Sequence, residues 1–144
     1  MLGDLCKLLR MCGIDTAYCN CGKEIFIIAR KENRVILTKN SKFCGKQDVF
    51  SIEAGDPVQQ LEAVIQVFKL APLNNIFSRC LVCNGLLKSI EKPKIRHRVP
   101  YYTYQHHSKF FICAECQRVY WPGSHHENML SKIARLKLYD NGKK

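Results

Sequence analysis

The sequence contains no apolar run that approaches the roughly 20 residues a helix needs to span a membrane. Its opening stretch, MLGDLCKLLR, does not have the composition of a secretory signal, because Asp4, Lys7 and Arg10 interrupt the apolar positions. Both absences argue against a membrane or secreted protein, so we expect a cytoplasmic location, with the nucleus as the alternative. In a reducing compartment, cysteines are more often metal ligands or core residues than disulfides.

Acidic residues are scarce in the second half of the chain. Residues 76–144 hold thirteen Lys and Arg but four Asp and Glu, a net charge of +9, whereas residues 1–75 hold ten and eight, a net charge of +2. A positive charge concentrated in this way attracts polyanions, of which RNA and DNA are the commonest. The alternative is that the charge serves solubility alone.

Helical and strand-like patterns alternate through the first half of the chain. Asp56 and Pro57 favour the start of a helix, as an N-cap and a first helical residue. Strands that alternate with helices through short links predict a parallel sheet with helices packed on it. The predicted helices cover residues 2–12, 23–33 and 55–70, and the predicted strands cover residues 14–19, 34–38 and 48–52.

The first predicted element is a helix, whereas an α/β unit usually opens on a strand. We therefore expect either a fragment of a longer protein or a sheet that lacks its first strand, which something else supplies. An open sheet edge of this kind can bind a strand from a protein partner.

The pattern changes after the α/β part, where cysteine pairs, prolines and short aromatic runs replace the helical stripes. Residues 71–77 have the composition of a linker. A last helix is predicted over residues 125–138, with Ser124 and Glu127 as a capping box at its start. The predicted parts are an α/β domain at residues 1–75 and a zinc ribbon with a C-terminal helix at residues 76–144.

Two C-x-x-C pairs lie in the second half, and each aims two sulfurs at one point. Cys80 and Cys83 form the first pair, and Cys113 and Cys116 form the second. Four thiolates complete a tetrahedral shell for Zn²⁺, with Zn–S distances of about 2.3 Å. We predict a structural zinc ribbon with these ligands, because four sulfurs leave no open position for catalysis. A redox dithiol is the alternative, although such pairs usually occur singly and open a helix.

The other five cysteines carry weaker signals. Cys6 and Cys12 lie on the apolar face of the first predicted helix, which indicates core residues. Cys19 and Cys21 form a C-x-C pair, for which a second metal site is the less favoured interpretation. Cys44 is predicted to lie at the surface or to fill the core.

A basic and aromatic segment, KPKIRHRVPYYTYQHHSK, separates the two cysteine pairs. Cations can follow a phosphate backbone while aromatic rings stack on unpaired bases, at about 1–3 kcal/mol per base. The alternative is a solvated hairpin whose tyrosines pack on the ribbon. Histidines in the first turn of the last predicted helix can also contact phosphate, because the backbone amides there favour anions. The predicted RNA-binding residues are Lys92, Lys94, Arg96, Arg98, Tyr101, Tyr102, Tyr104, Lys109, Arg118, His125 and His126.

A metal-dependent nuclease needs several carboxylates that converge on divalent ions, and in an α/β fold they are expected at the ends of parallel strands. Asp15 follows the first predicted helix, and Asp48 and Asp56 flank the last predicted strand. The strand VILT ends instead in Lys39 and Asn40, and an asparagine adds no charge. The acidic cluster is therefore depleted, no catalytic residue is assigned, and Mg²⁺ or Mn²⁺ is expected only for an active nuclease.

Nearly the whole chain resembles the Mut-seven C-terminal domain family, a PIN-like ribonuclease fold with an appended zinc ribbon. The resemblance implies a parallel sheet flanked by helices, followed by a four-cysteine ribbon and a C-terminal helix. In the family, a strand that carries an acid precedes the Met–Leu opening, and the third strand usually ends in Asp where this chain has Asn40. The matching stretches are MLGDLCKLLRMCGIDT, RVILTKN, FSRCLVCNG and CAECQRVYWPGSHHENM, of which the last is the most specific.

Members of the family occur as free-standing prokaryotic proteins and at the C-terminus of Nibbler-type 3′–5′ exoribonucleases of the DEDD type, which act on small RNAs. The cysteine-rich texture and the missing acids favour the second setting. The resemblance then implies an accessory domain that binds single-stranded RNA or docks a protein partner while a separate domain cuts. An active PIN-like endoribonuclease and a domain devoted to protein docking are the alternatives.

Overall fold

A computed structural model describes residues 2–70 and 76–135 of the chain. The predictions made for residues 71–75 of the linker and for residues 136–138 of the last helix lie outside the described residues. The side chain of His125 also lies outside the described part.

The first helix, α1 (Gly3–Met11), forms where leucine and cysteine recur at helical spacing. The side chains of Leu5, Leu9 and Cys12 on this face are almost completely buried. Gly13 follows with a φ of 81°, a conformation that glycine adopts at low cost just after a helix. The predicted helix and its C-terminal glycine are therefore confirmed.

The two strands of the first half form a small parallel sheet, which the Val- and Ile-rich runs predicted. Strand β1 (Ile36–Thr38) pairs with β2 (Val49–Ser51), and Ile36 lies opposite Val49. Helix α2 (Glu24–Glu32) precedes β1 and ends at Asn33, whose φ of 57° places it in the left-handed region.

Helix α3 (Pro57–Phe68) follows β2 and begins as predicted. The side chain of Asp56 accepts a hydrogen bond from the amide of Val58 over 3.1 Å, which satisfies one of the unpaired amides of the first turn. Leu61 and Ile65 on its inner face are completely buried against α1.

The second half is built on a three-stranded antiparallel sheet in the order β3–β4–β5. The strands are β3 (Leu87–Ile90), β4 (Phe110–Cys113) and β5 (Val119–Tyr120). Strands β4 and β5 therefore lie on either side of the second cysteine pair. A 3-10 turn (Lys92–Ile95) and helix α4 (Tyr101–His106) lie between β3 and β4, and helix α5 (Ser124–Ala134) follows β5.

One hydrophobic core joins elements from both halves. The cluster of buried side chains from α1 and α3 also contains Ile133 of α5, which is 0% exposed. Phe77 and Met129 pack against the same cluster. The second half is thus anchored on the α/β part through its first residues and through its last helix.

Two local predictions were wrong, and the hairpin that was the alternative for the basic segment does not form. Residues 14–19 do not form a strand, because the backbone of Thr16 bonds to side chains of Arg10 and Asn84 instead of to a neighbouring strand. Ser124 and Glu127 do not form a capping box, since the N-cap is Gly123 and no side chain caps the helix. The basic segment forms a 3-10 turn and a helix, not a hairpin.

The cysteines outside the two C-x-x-C pairs occupy different environments. Cys6 and Cys12 are buried, as predicted, and burial raises the pKa of the Cys12 thiol to about 12. Cys44 is exposed. Cys19 and Cys21 are joined as a disulfide across Asn20, which leaves neither thiol to ligate a second metal ion.

Candidate metal centre and basic surface

The register of the second sheet brings the two C-x-x-C pairs together. Leu87 of β3 lies opposite Cys113 of β4, so the turn before β3 and the turn after β4 meet at the same end of the sheet. The Sγ atoms of Cys80 and Cys116 are 3.6 Å apart, and those of Cys83 and Cys113 are 3.4 Å apart. Sulfurs around one tetrahedral ion at about 2.3 Å are separated by about 3.8 Å, so the spacing suits a single ion.

All four Sγ atoms lie within 4.8 Å of one another. Among residues 2–70 and 76–135, no other group of three or more His, Cys, Asp or Glu side chains is placed to hold a metal ion. The predicted ligand residues are therefore brought together, and the cluster can bind one ion.

Hydrogen-bond donors surround these sulfurs. The amides of Glu115 and Cys116 donate to Sγ of Cys113 over 3.3 and 3.4 Å, and the amide of Gly85 donates to Sγ of Cys83 over 3.4 Å. The hydroxyl of Tyr120 lies 2.9 Å from Sγ of Cys80. Donors aimed at sulfur stabilise the thiolate, which is the form that binds metal.

The pKa values of two of the thiols move in opposite directions. Burial raises the pKa of Cys80, but hydrogen bonds from Tyr120 and from the amides of Cys83 and Val82 outweigh it and lower the pKa to about 6. At Cys83 the amide of Gly85 favours the thiolate, but burial and the neighbouring sulfurs prevail and raise the pKa to about 12.

Gly85 shows how tightly the two turns pack. A Cβ atom at this position would lie 2.7 Å from Cγ of Glu115 and 2.9 Å from Sγ of Cys113, distances that carbon atoms do not tolerate. Only glycine allows the first turn to approach the second this closely. The shell is therefore shaped for a closely held ion.

The basic and aromatic segment forms an insertion between β3 and β4. Ile95 in its 3-10 turn is 0% exposed, so this part of the segment is buried in the fold. Helix α4 follows, and its Tyr101 and Tyr102 side chains are 79% and 68% exposed. We call residues 92–109 the basic insertion.

Several side chains of the basic insertion contact one another through their aromatic rings. The Lys92 ammonium lies 4.8 Å from the centre of the Tyr104 ring, a cation–π contact. His106 stacks on Tyr102 with ring centres 3.9 Å apart and an interplanar angle of 19°. Tyr104 is half-buried and Tyr101 is exposed, whereas Tyr102 is exposed with one ring face covered by His106.

The remaining predicted RNA-binding residues fall into two groups. The first group consists of exposed cations, all but Arg118 within the basic insertion, and Arg98 among them donates a hydrogen bond to the carbonyl of Gln117. His126 lies apart from them, because its ring packs against Phe77, with ring centres 3.2 Å apart. The exposed cations are Lys94, Arg96, Arg98, Lys109 and Arg118.

The side chains considered for a nuclease site form hydrogen bonds with different partners. Asp15 accepts hydrogen bonds from Asn84 and Arg34 at 2.7 and 2.9 Å, and these contacts hold the pKa of its carboxyl below the usual range. Asn40 accepts from the amide of Lys42 in a 3-10 turn, and Asp56 caps α3. Within the described residues, these groups do not form a cluster that could hold a metal ion.

A cleft of about 740 Å³ lies beside the parallel sheet. Its walls come from α1, α2 and β1, and apolar side chains such as Leu9, Ile28 and Leu37 line them. Within the part of the chain that the structure describes, β1 pairs only with β2, so no strand is paired with its other edge.

The chain matches the sequence model of the Mut7-C RNAse domain over residues 1–133. This match covers most of the chain, and the chain belongs to that family. No curated protein and no solved structure shows significant similarity to it. None of the described helices has the length and apolar character needed to cross a membrane.

Some residues of the site escaped the sequence analysis. Gly85 and Tyr120 each contact a sulfur of the metal cluster, and both lie in stretches that match the family, but no role at the metal was predicted for them. The stacking of His106 on Tyr102 was not predicted either. Arg10 and Asn84 connect the first cysteine turn to α1 and to the loop after it, through contacts that span about half the chain and therefore leave no local pattern.

Proposed function

We propose that this chain is an RNA-binding accessory domain of a 3′–5′ exoribonuclease that acts in small-RNA processing or silencing. One observation carries the proposal. The chain belongs to an RNase domain family, and its basic insertion, with two exposed tyrosines, lies between the two cysteine pairs of a four-cysteine cluster. In this role the domain binds RNA in the cytoplasm while a separate domain cuts.

Zinc is the metal that we assign to the four cysteines. Four thiolates in a closed shell suit a d¹⁰ ion with no geometric preference of its own, and they leave no open position for a substrate. The ion then holds the turn before β3 and the turn after β4 together at one end of the sheet, and the basic insertion connects the other ends of the two strands. The role of the ion is to present the basic insertion.

Two kinds of contact would bind a single strand of RNA. Lys94, Arg96 and Arg98 supply charge for the phosphates, and the exposed faces of Tyr101 and Tyr102 supply stacking surfaces for unpaired bases. Bases in a duplex are already stacked on one another, so these faces favour unpaired nucleotides.

The proposed fold of the first half is PIN-like, without a nuclease centre of its own. Asp15, Asn40 and Asp56 each have another hydrogen-bonding role. The alternative is an endoribonuclease that depends on Mg²⁺ or Mn²⁺, which the family's RNase character favours. The test is to incubate RNA with the chain in the presence of Mn²⁺. Cleavage by the unmodified chain that is abolished in Asp15→Asn would support this alternative.

Protein docking is a second proposed function, and the cleft beside β1 favours it. Its apolar walls and the open strand edge suit an extended, apolar strand from a protein partner, which would add to the sheet. Higher solubility of the chain on co-expression with such a partner would support docking, and it is compatible with RNA binding.

The RNA-binding proposal is tested by titrating the zinc-loaded chain into a fluorescent single-stranded RNA at several salt concentrations. We expect log K to fall linearly with log salt, with a slope of about −0.7 for each phosphate contacted. We also expect a duplex of the same sequence to bind more weakly. Equal affinity for both forms would contradict the stacking role, and no binding to either would contradict the proposal.

A further inference from the structure

Helix α1 reaches into the first cysteine turn through one buried side chain. Arg10 is 7% exposed, and its Nη1 donates to the carbonyl oxygens of Leu81 and Val82 over 2.8 and 3.1 Å. Those two residues are the whole interval between Cys80 and Cys83. The Nε of the same guanidinium donates to the carbonyl of Thr16 over 2.9 Å. One arginine thus ties a metal-ligand turn to the loop that follows α1.

Asn84 connects the first cysteine turn to the loop that follows α1. It follows Cys83 directly and has a φ of 72°, which turns its side chain back towards the first half. Its Oδ1 accepts from the amide of Thr16 over 3.1 Å, and its Nδ2 donates to Oδ1 of Asp15 over 2.7 Å. The carboxylate of Asp15 is itself held by Arg34 at 2.9 Å.

From these contacts we propose that Arg10, Asp15 and Asn84 are positioning residues of the metal centre. They hold the Cys80–Cys83 turn in the geometry that the ion requires, although none of them touches the ion. Side chains that orient metal ligands in this way typically contribute about 10- to 100-fold to metal affinity. Asp15 then has a structural role, whereas a nuclease would need a carboxylate in this loop that is available to bind a metal ion.

The coupling between the loop contacts and metal binding must act in both directions. If the loop contacts favour the metal-binding form of the turn, then metal binding favours the loop contacts by the same factor. Removing the ion should therefore weaken the hydrogen bonds of Thr16 and of the end of α1. These residues are distant in sequence from the cysteines of the cluster. The α/β part and the ribbon would respond to metal as one unit.

Zinc affinity of the full chain, measured by competition with a chromophoric chelator, tests the proposal. Arg10→Met keeps the buried stem and removes the donors, and we expect about 10- to 100-fold weaker binding. Arg30→Met removes the same group from an exposed position on α2 and should bind zinc like the unmodified chain. Cobalt spectra of both variants should still report four thiolate ligands.

Asp15→Ala gives a second measurement that does not depend on a buried substitution, since the Asp15 side chain is 51% exposed. We expect weaker zinc binding, and no further loss when Asp15→Ala is added to Asn84→Gly, because Asp15 acts through Asn84. Glycine tolerates the φ of 72° at that position. If Asp15→Ala binds zinc as tightly as Arg30→Met does, the proposal is overturned whatever happens to Arg10→Met.

Hydrogen exchange tests the reciprocal effect. The amide of Thr16 donates to Asn84, and we expect it to be protected with zinc bound and to exchange faster after chelation. Protection that does not change with zinc would contradict the coupling. None of these measurements involves RNA, so their outcome is independent of the proposed RNA binding.

Discussion

Asn84 of the first cysteine turn donates a hydrogen bond to Asp15 over 2.7 Å, across 69 positions of the chain. Asp15 is one of the three acids that the sequence offered for a possible nuclease site, with Asp48 and Asp56. Arg34 binds the same carboxylate oxygen, so the group is neutralised and bound between two parts of the fold. A carboxylate held in this way stabilises the junction of the α/β part with the ribbon.

We predict one zinc ion per chain and its loss on Cys113→Ser. Cys113 is 0% exposed and two amides donate to its sulfur. Zinc binds the deprotonated sulfur of cysteine, whereas a serine hydroxyl stays neutral and is a poor ligand. Binding of structural zinc contributes on the order of 10 kcal/mol to small units of this kind, so the ribbon should unfold. Atomic emission measures the zinc, and circular dichroism measures the fold.

The matched control for that variant is Cys44→Ser, at an exposed cysteine outside the cluster. It should keep one zinc ion and the unmodified melting temperature. Equal zinc content in Cys113→Ser and Cys44→Ser would show that the four cysteines are not the ligands.

Gly85→Ala should destabilise the metal-bound chain by about 1–3 kcal/mol, the usual cost of overpacking. Its added Cβ would lie 2.9 Å from a sulfur that the metal prevents from moving. Gly3→Ala is the control, because the nearest atom to its Cβ is 4.0 Å away and alanine favours the helix. Urea unfolding in saturating zinc measures both, and equal stabilities would contradict the packing account.

Ile133→Ala should lower the free energy of unfolding by about 2–5 kcal/mol, because this fully buried side chain belongs to the core of α1 and α3. We expect the probes of both halves to unfold together. Val67→Ala, at a side chain that is 53% exposed, should have a far smaller effect. Loss of the ribbon signal alone would show that the halves do not share a core.

Tyr101→Ala and Tyr102→Ala should each weaken single-stranded RNA binding by about 1–3 kcal/mol if each ring stacks on one base. The slope of log K against log salt should not change, because no charge is removed. Tyr101→Phe keeps the ring and should bind normally, as should Tyr18→Ala, at a tyrosine of the first half that is 47% exposed. A changed salt slope, or no loss, would contradict stacking.

Local chemistry explains what could be predicted from the sequence. The start of α3 depends on Asp56 and the residues next to it, and the metal cluster depends on two short turns, so both were predicted correctly. The stretch 14–19 has a strand-like composition, but its backbone bonds to Arg10 and Asn84. Contacts between residues so far apart leave no trace in a local pattern.

Helix α4 was missed for a related reason. Its six residues have no apolar stripe, and the conformation considered for this segment was a hairpin. In the structure, stacking of His106 on Tyr102, one helical turn apart, and the cation–π contact of Lys92 with Tyr104 accompany the helical conformation. Pairs of this kind become recognisable only once the helix is known.

The central claim is that the basic insertion binds RNA through its own charges. The most direct test is the affinity for single-stranded RNA after charge reversal at Lys94, Arg96 and Arg98, with zinc content and fold verified. The matched control reverses three exposed lysines of the first half, Lys23, Lys31 and Lys39, and has the same net charge. We predict a large loss of affinity and a salt slope reduced by about 0.7 per phosphate contact in the first variant, and a much smaller change in the control. Equal losses in both variants, or none in the first, would contradict the claim.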